Sequence, residues 1–343
     1  MSETVFPDVR GPSPDGTPGL RWGVIGTGQI AADFSDALHT HTAQRVTAVT
    51  SRSADRGAVF AREHGIERVF ADAHAMAADP HVDIVYVATP HRQHHAGALA
   101  AIEAGTPVLI EKPLGLTAAE GRSVAAAARR AGVFAAEGMW TRYQPGFHVL
   151  EELIWNGALG DVRLADAAVG WKVDPGDPGR MFDPAEGGGA LLDMGVYALW
   201  FAQFAIGHPA SLTTTGSTAN GVDVESATIL TGRSGAIATA TTTLRATTDG
   251  LASITGSSGS VRFLDHFVFP SRFSLTVDGA STVWDDGRPL PGRAGLAYEA
   301  AAVASYVIDG RTESPLHSLD DSLALARTMD TIRTTLTEQD RPR

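Results

Sequence analysis

Three polar residues, far apart in the chain, form a set able to move a proton while a hydride leaves a neighbouring carbon. Glu111-Lys112-Pro113 follows a short apolar run at 107–110, so Lys112 sits at the carboxyl end of an expected buried strand. That edge is where ligands bind in open α/β sheets. Downstream, Gly187-Gly188-Gly189 introduces an expected helix carrying Asp193 and Tyr197. Their i, i+4 spacing puts both on one face of a regular helix. A free tyrosine, with a pKa near ~10, is a poor base at neutrality. A neighbouring ammonium favours tyrosinate and lowers that pKa. The spacing alone also suits a core tyrosine and a surface aspartate.

A second group of residues binds rather than reacts. Gly26-Thr27-Gly28-Gln29-Ile30-Ala31 matches G-x-G-x-x-G/A and sits between a strand at 21–25 and a helix. The first Gly makes a tight turn, the second admits a pyrophosphate, and Ala31 keeps helix and strand close. Gln29 and Ile30 open the helix whose N-terminus faces the phosphates. This predicts a nicotinamide dinucleotide, and the end of the second strand decides which one. Ser51-Arg52-Ser53, with Arg56 a turn later, offers a hydroxyl and two guanidinium forks to a 2′-phosphate. The pattern therefore favours NADP over NAD, the alternative being solvated surface arginines. Asp55, the nearest acid, belongs to the next helix.

The elements that must hold these groups follow from periodicity. Strands are expected at 45–50, 83–88 and 107–110, and helices at 54–64, 94–104 and 117–131. That alternation means a parallel sheet with right-handed crossovers. Thr89-Pro90 and His94 leave the sheet by the same edge as Lys112. A helix at 147–155 ends on Asn156-Gly157, and 171–189 reads as a long loop. From Pro209 the chain fills with Thr, Val, Ile and turns such as Asp278-Gly279, which is antiparallel sheet. Helices near 298–309 and 320–336 close the chain. The expected division is a disordered tail at 1–20, an α/β Rossmann domain at 21–140, and an α+β domain with a large open antiparallel sheet at 141–337.

Composition narrows the function classes. A net charge of −12 over 343 residues disfavours a nucleic-acid partner. Cysteine is absent, which removes disulfides, thiolate catalysis and Cys-ligated metals and suits a cytoplasmic location. No uninterrupted apolar run approaches the roughly 20 residues of a membrane span. His91, His94 and His95 cluster, but a metal site needs further converging ligands and none is evident, so no metal is expected.

With the glycine loop, Thr89-Pro90…His94, Glu111-Lys112-Pro113 and Gly187-Gly188-Gly189…Asp193-x-Gly195-x-Tyr197, the chain resembles the glucose–fructose oxidoreductase/inositol dehydrogenase (Gfo/Idh/MocA) family from 21 to about 336. The resemblance implies that Lys112 and Asp193 act at the nicotinamide end with Tyr197 as acid/base. It implies that Thr89, Pro90, His94 and Glu111 border the cofactor. Ser51 with Arg52 and Arg56, Glu137-Gly138-Met139-Trp140-Thr141-Arg142-Tyr143, and Asp183-Pro184 resemble the dimeric dihydrodiol dehydrogenases and NADP-dependent D-xylose dehydrogenases. That branch implies a sugar or trans-dihydrodiol substrate, 2′-phosphate binding by Arg52 and Arg56, and a homodimer or homotetramer paired through the C-terminal sheet. Trp140 and Arg142 suit a substrate pocket, the alternatives being core packing and a surface ion pair, and Trp171 is a further candidate. The competing functions are an inositol or other polyol dehydrogenase and a non-catalytic NADP-binding sensor.

Overall fold

A computed structural model describes residues 6–174, 176, 179–287 and 289–339. The first part of the chain alternates as expected: β1 (Arg21–Ile25), α1 (Gln29–His41), β2 (Arg45–Thr50), α2 (Ala54–Glu63), β3 (Arg68–Phe70), α3 (Ala73–Ala77), β4 (Ile84–Val87), α4 (His94–Glu103), β5 (Val108–Glu111), α5 (Ala118–Ala131) and β6 (Ala135–Gly138). The six strands form one parallel sheet in the order β3-β2-β1-β4-β5-β6. The order reverses at β1, and the glycine loop opens at that switch point. Strands β4, β5 and β6 are buried along their whole length, as a sheet covered on both faces requires. One face buries Val85, Val87, Val108 and Ile110 against Ala98, Ala101 and Val124. On the other, Phe34 lies between Trp22 and Tyr86 with ring centroids 5.0 and 4.0 Å away.

The later elements are α6 (Pro145–Trp155), β7 (Val162–Gly170), α7 (Val196–Ile206), β8 (Pro209–Ala219), β9 (Val222–Gly232), β10 (Ile237–Thr243), β11 (Ala252–Gly256), β12 (Gly259–Phe263), β13 (Arg272–Val277), β14 (Ala280–Asp285), α8 (Leu296–Ile308) and α9 (Leu319–Gln339). Strands β7–β14 form an eight-stranded sheet in the order β14-β13-β12-β11-β7-β10-β9-β8. All pairs are antiparallel except β7 with β10. Helix α7 is buried almost throughout and contributes to an aromatic core in which Phe147 lies 5.3 Å from Phe263 and Phe201 5.5 Å from Phe267. The segment Pro184–Ile206 is long and apolar enough to cross a membrane by length and composition, although its apolar residues form no uninterrupted run. Because 83% of its most apolar window lies inside the protein, it is a core helix.

Two differences from the sequence expectation concern organisation. Among the described residues, compact units form from 11–143 with 290–326, and from 6–10 with 144–289 and 327–339. Helix α8 therefore belongs with the Rossmann sheet instead of continuing the second unit. There it buries its Ala-rich face, and Gln44, whose Oε1 accepts from Trp22 Nε1, donates through Nε2 to the Ala300 carbonyl at 3.2 Å. The expected tail at 1–20 is also placed in part: Phe6 meets Phe273 edge-on at 5.9 Å, Arg10 pairs with Glu152, and Thr17 is buried. Residues 1–5 lie outside the described residues.

Candidate active site

The glycine loop is made by local geometry. Gly26 has φ +117°, and a Cβ there would lie 2.5 Å from the Ala88 carbonyl oxygen, so the turn after β1 requires glycine. Gly28 has nothing within 4 Å of where its Cβ would be, which leaves the N-terminus of α1 open for a ligand. Between β1, β2 and β4 lies a cavity of about 400 Å³ lined by Gly26, Thr27, Gly28, Thr50, Ser51, Arg52, Arg56, Thr89, Pro90 and Gln93, among others. Seven of the predicted cofactor residues are thus brought together. Ser51 Oγ lies 3.4 Å from Thr27 Oγ1 and accepts from the Ser53 amide at 3.3 Å, at the start of α2. Ser53 caps that helix through the Arg56 amide, so a helix N-terminus, a hydroxyl and two exposed guanidinium groups converge. That set suits a phosphate. At the opposite wall, Thr89 Oγ1 and Gln93 Nε2 are buried without a hydrogen-bond partner. Unpartnered polar atoms in a cavity wall fit a ligand that completes them, and the residues present fit a dinucleotide. Gln93 was missed in the sequence, where nothing distinguishes it from its neighbours.

The other predicted cofactor residues stand outside this lining. Gln29 spends its amide on Asp33 at 2.8 Å, and Ile30 is half-buried on α1. His94 is fully buried, with Nδ1 2.7 Å from the Pro113 carbonyl and Nε2 2.9 Å from the Thr89 carbonyl. It joins the turn after β4 to the turn after β5. Burial holds its pKa below the usual imidazole value, against the pull of the two carbonyls. His91 meets the His94 ring edge-on, and His95 contacts Ser123 Oγ. Glu111 is turned inward: its carboxylate accepts from the Tyr86 hydroxyl and the Lys112 amide, and burial pushes its pKa up. Glu137 accepts from the Leu114 amide at 2.8 Å and contacts His317 Nε2 at 2.9 Å. Burial raises its pKa, but the bonds from His317, Ser322 and Leu114 outweigh that and hold it low. Lys112, joined to Pro113 by a cis peptide, is thus flanked by main-chain atoms that Glu111, Glu137 and His94 fix.

Lys112 belongs to the Rossmann unit, Asp193 and Tyr197 to the other. The expectation that Asp193 and Tyr197 share a regular helix face needs correction. Leu191–Gly195 is a π-helical turn, closed by the Val196 amide on the Leu191 carbonyl, so the i, i+4 stacking of an α-helix does not apply. Asp223 Oδ2 accepts from the Leu191 amide at 2.7 Å, and Thr242 packs where Gly195 has no side chain. Asp193 accepts from Arg180 at 2.6 Å, a partner unforeseen in the sequence. Tyr197 is buried, 6% exposed. Of the pocket candidates, Trp140 is buried beneath the Arg293 guanidinium, and Trp171 is 68% exposed. Arg142 is buried, not a surface residue, with Nε donating to the Leu316 carbonyl at 3.0 Å.

Comparison with known proteins agrees with this architecture. Residues 20–139 match the oxidoreductase family GFO_IDH_MocA, NAD-binding Rossmann fold, and residues 147–262 match the GFO/IDH/MocA C-terminal domain. The trans-1,2-dihydrobenzene-1,2-diol dehydrogenase of Bos taurus is 33% identical over 92% of this chain and 96% of its own. That of Danio rerio is 35% identical with the same coverage. A 3-ketoreductase from Actinomadura kijaniata, solved with NADP and TDP-benzene, is 27% identical with a TM-score of 0.79, covering 92% of this chain and 98% of that one. It has also been solved with a tyrosine replaced by phenylalanine and with a lysine replaced by alanine. A levoglucosan dehydrogenase with NADH and levoglucosan shares the fold, with a TM-score of 0.84 at 20% identity over 94% of this chain and 98% of that one. With both domains matched and relatives aligned along nearly their whole length, the chain belongs to the GFO/IDH/MocA family and is an oxidoreductase with an NAD(P)-binding Rossmann domain.

Proposed function

We propose that this protein is an NADP-dependent dehydrogenase acting on a CH–OH group of a cyclic sugar or a trans-dihydrodiol. The observation that carries the cofactor half is the wall of the cavity where Ser51, Arg52, Arg56 and the start of α2 converge. These groups would hold the 2′-phosphate, and Gly26, Gly28 and the α1 N-terminus the pyrophosphate. When bound, the nicotinamide supplies the hydride acceptor. The chain's own residues handle the proton. Tyr197 takes it from the substrate hydroxyl, Lys112 favours the tyrosinate and donates to the reacting oxygen, and Asp193, steadied by Arg180, orients the substrate hydroxyl. Support for this assignment comes from family membership and from the dihydrodiol dehydrogenases at 33% identity. The lysine and tyrosine replaced in the Actinomadura ketoreductase are residues of the same two types. Trp140, Arg142 and Trp171 remain the candidates for contact with the sugar or diol.

A panel of aldoses, inositols and trans-dihydrodiols, followed at the nicotinamide absorbance, tests the substrate assignment. Reduction of NADP⁺ by an aldose or dihydrodiol is the expected result, and activity with inositols alone overturns it. Arg52→Ala should raise the KM for NADP⁺ well above that for NAD⁺; equal effects on both refute the 2′-phosphate role. We also assign the outer face of the eight-stranded sheet to pairing of two copies. Leu164, Ile229 and Ile237 are 49%, 52% and 41% exposed, and Ile237 lies beside Leu164 in the sheet register.

A further inference from the structure

The compact unit that holds the eight-stranded sheet has a cavity of its own, of about 310 Å³, beside the turn between β8 and β9. Its floor is apolar and fixed by the main chain. Val224 and Leu244 are buried there, the Leu244 amide donates to the Val224 carbonyl at 2.7 Å, and the Val173 amide donates to the Leu244 carbonyl at 2.9 Å. Phe182, half-buried, adds an aromatic wall. The rim is polar. Asn220 is held at φ +54° in the Asn220-Gly221 turn, and its side-chain amide has no hydrogen-bond partner among the described residues. Lys172 is tied down only by its backbone amide, which donates to Thr247 Oγ1 at 3.2 Å, and its ammonium has no partner among the described residues. Arg245 gives one guanidinium nitrogen to Glu225 at 2.6 Å. The described lining thus holds two cations and no acid, in a chain of net charge −12. The neighbouring carboxylates are engaged elsewhere: Glu225 with Arg245 and Ser217, and Asp174 with the Gly176 amide at 2.8 Å.

We propose that this cavity binds a small organic anion, its charged group between Lys172 and Arg245 and its apolar body against Phe182, Val224 and Leu244. A lysine head on a flexible stem reaches an anion without breaking an existing contact, and Arg245 adds its charge while keeping Glu225. Walls of low dielectric lined by one sign of charge focus the field on a ligand of the opposite sign. The volume exceeds what an inorganic ion fills and lies at the small end of ligand pockets, so an organic body accompanies the charge. No lining residue is shared with the dinucleotide cavity, and the assignment does not depend on the NADP reading.

Phenyl phosphate, largely a dianion at pH 8, is the probe, with phenol as its uncharged counterpart and inorganic phosphate as the charge without the body. In calorimetric titrations of the full chain, phenyl phosphate should bind about tenfold more tightly than either. Lys172→Met, which keeps the stem and removes the charge, should raise its Kd about tenfold, and Arg245→Gln about threefold. Arg52→Ala, in the dinucleotide cavity, should leave it unchanged. Lys112 and Lys172 are the only lysines of the chain, so acetylation mapped by mass spectrometry follows Lys172 separately. Saturating phenyl phosphate should slow its acetylation at least threefold. No binding of phenyl phosphate, equal binding of inorganic phosphate, a Kd that ignores Lys172→Met, or one weakened by Arg52→Ala instead overturns the assignment. Undiminished acetylation of Lys172 overturns it as well. None of these measurements requires turnover or a dinucleotide, so their failure is distinct from failure of the dehydrogenase reading.

Discussion

Replacing Glu299 by glutamine should make the protein more stable at neutral pH, by an amount that depends on pH. Glu299 lies on α8, wholly buried, and among the described residues neither carboxylate oxygen has a hydrogen-bond partner. Burial, and then the nearby Glu111 and Glu137, push its pKa well above the ordinary 4.5. The folded state thus holds a proton that the unfolded chain releases near neutrality. For a carboxyl raised in this way, the stabilisation is fully present below pH 4.5 and is lost as pH rises towards the folded-state value. Each pH unit in that window removes about 1.4 kcal/mol, so between pH 4.5 and 7.5 at most about 4 kcal/mol is lost. Glutamine keeps the shape and remains neutral at every pH. Thermal melts of Glu299→Gln and wild type should nearly coincide at pH 4.5, and the variant should melt higher by a margin that widens up to pH 7.5. With two compact units, the sign and pH trend of the difference carry the test, not an absolute free energy. A variant less stable at pH 7.5, or a difference constant with pH, would refute the reasoning, because Glu299 would then be ionised and partnered in the fold.

The two glycines of the phosphate loop should fail differently. Gly26→Ala forces a positive-φ side chain against the Ala88 carbonyl and should cost about 2–4 kcal/mol of stability, read as a lower melting temperature. Gly28→Ala meets nothing in the folded chain and should leave the melting temperature unchanged while weakening NADP⁺ binding about tenfold; an unstable Gly28→Ala contradicts the open cradle. Tyr197→Phe should lower kcat by about a hundredfold to ten-thousandfold with unchanged dinucleotide affinity, and wild-type turnover in that variant removes Tyr197 as acid/base. Ile229→Glu, on the outer face of the sheet, should shift the light-scattering mass towards a monomer without lowering the melting temperature. An unchanged mass moves the pairing surface elsewhere.

The Rossmann half was legible in the chain because its determinants are local. A strand, its glycine loop and the next helix are joined covalently, so Gly26, Gly28 and Ala31 need only their neighbours to announce a phosphate site. Ser51, Arg52 and Arg56 come one βα unit later, within reach of the same argument. The short β3, β6 and α3, and the Ala-rich β7, carried too little periodic signal to be read. Strand β7 also pairs in parallel with the distant β10, so no hairpin turn announces it. Asp193 shows the limit most clearly. Its spacing to Tyr197 is that of an α-helix, but a one-residue shift in hydrogen-bond register is set by Asp223 and Thr242, contacts that follow from the packed sheet. The same holds for α8 and for Arg293. Apolar periodicity shows that a helix must bury one face, and only tertiary packing decides that α8 lies along α1 and that Arg293, just ahead of it, meets Asp33 and Trp140.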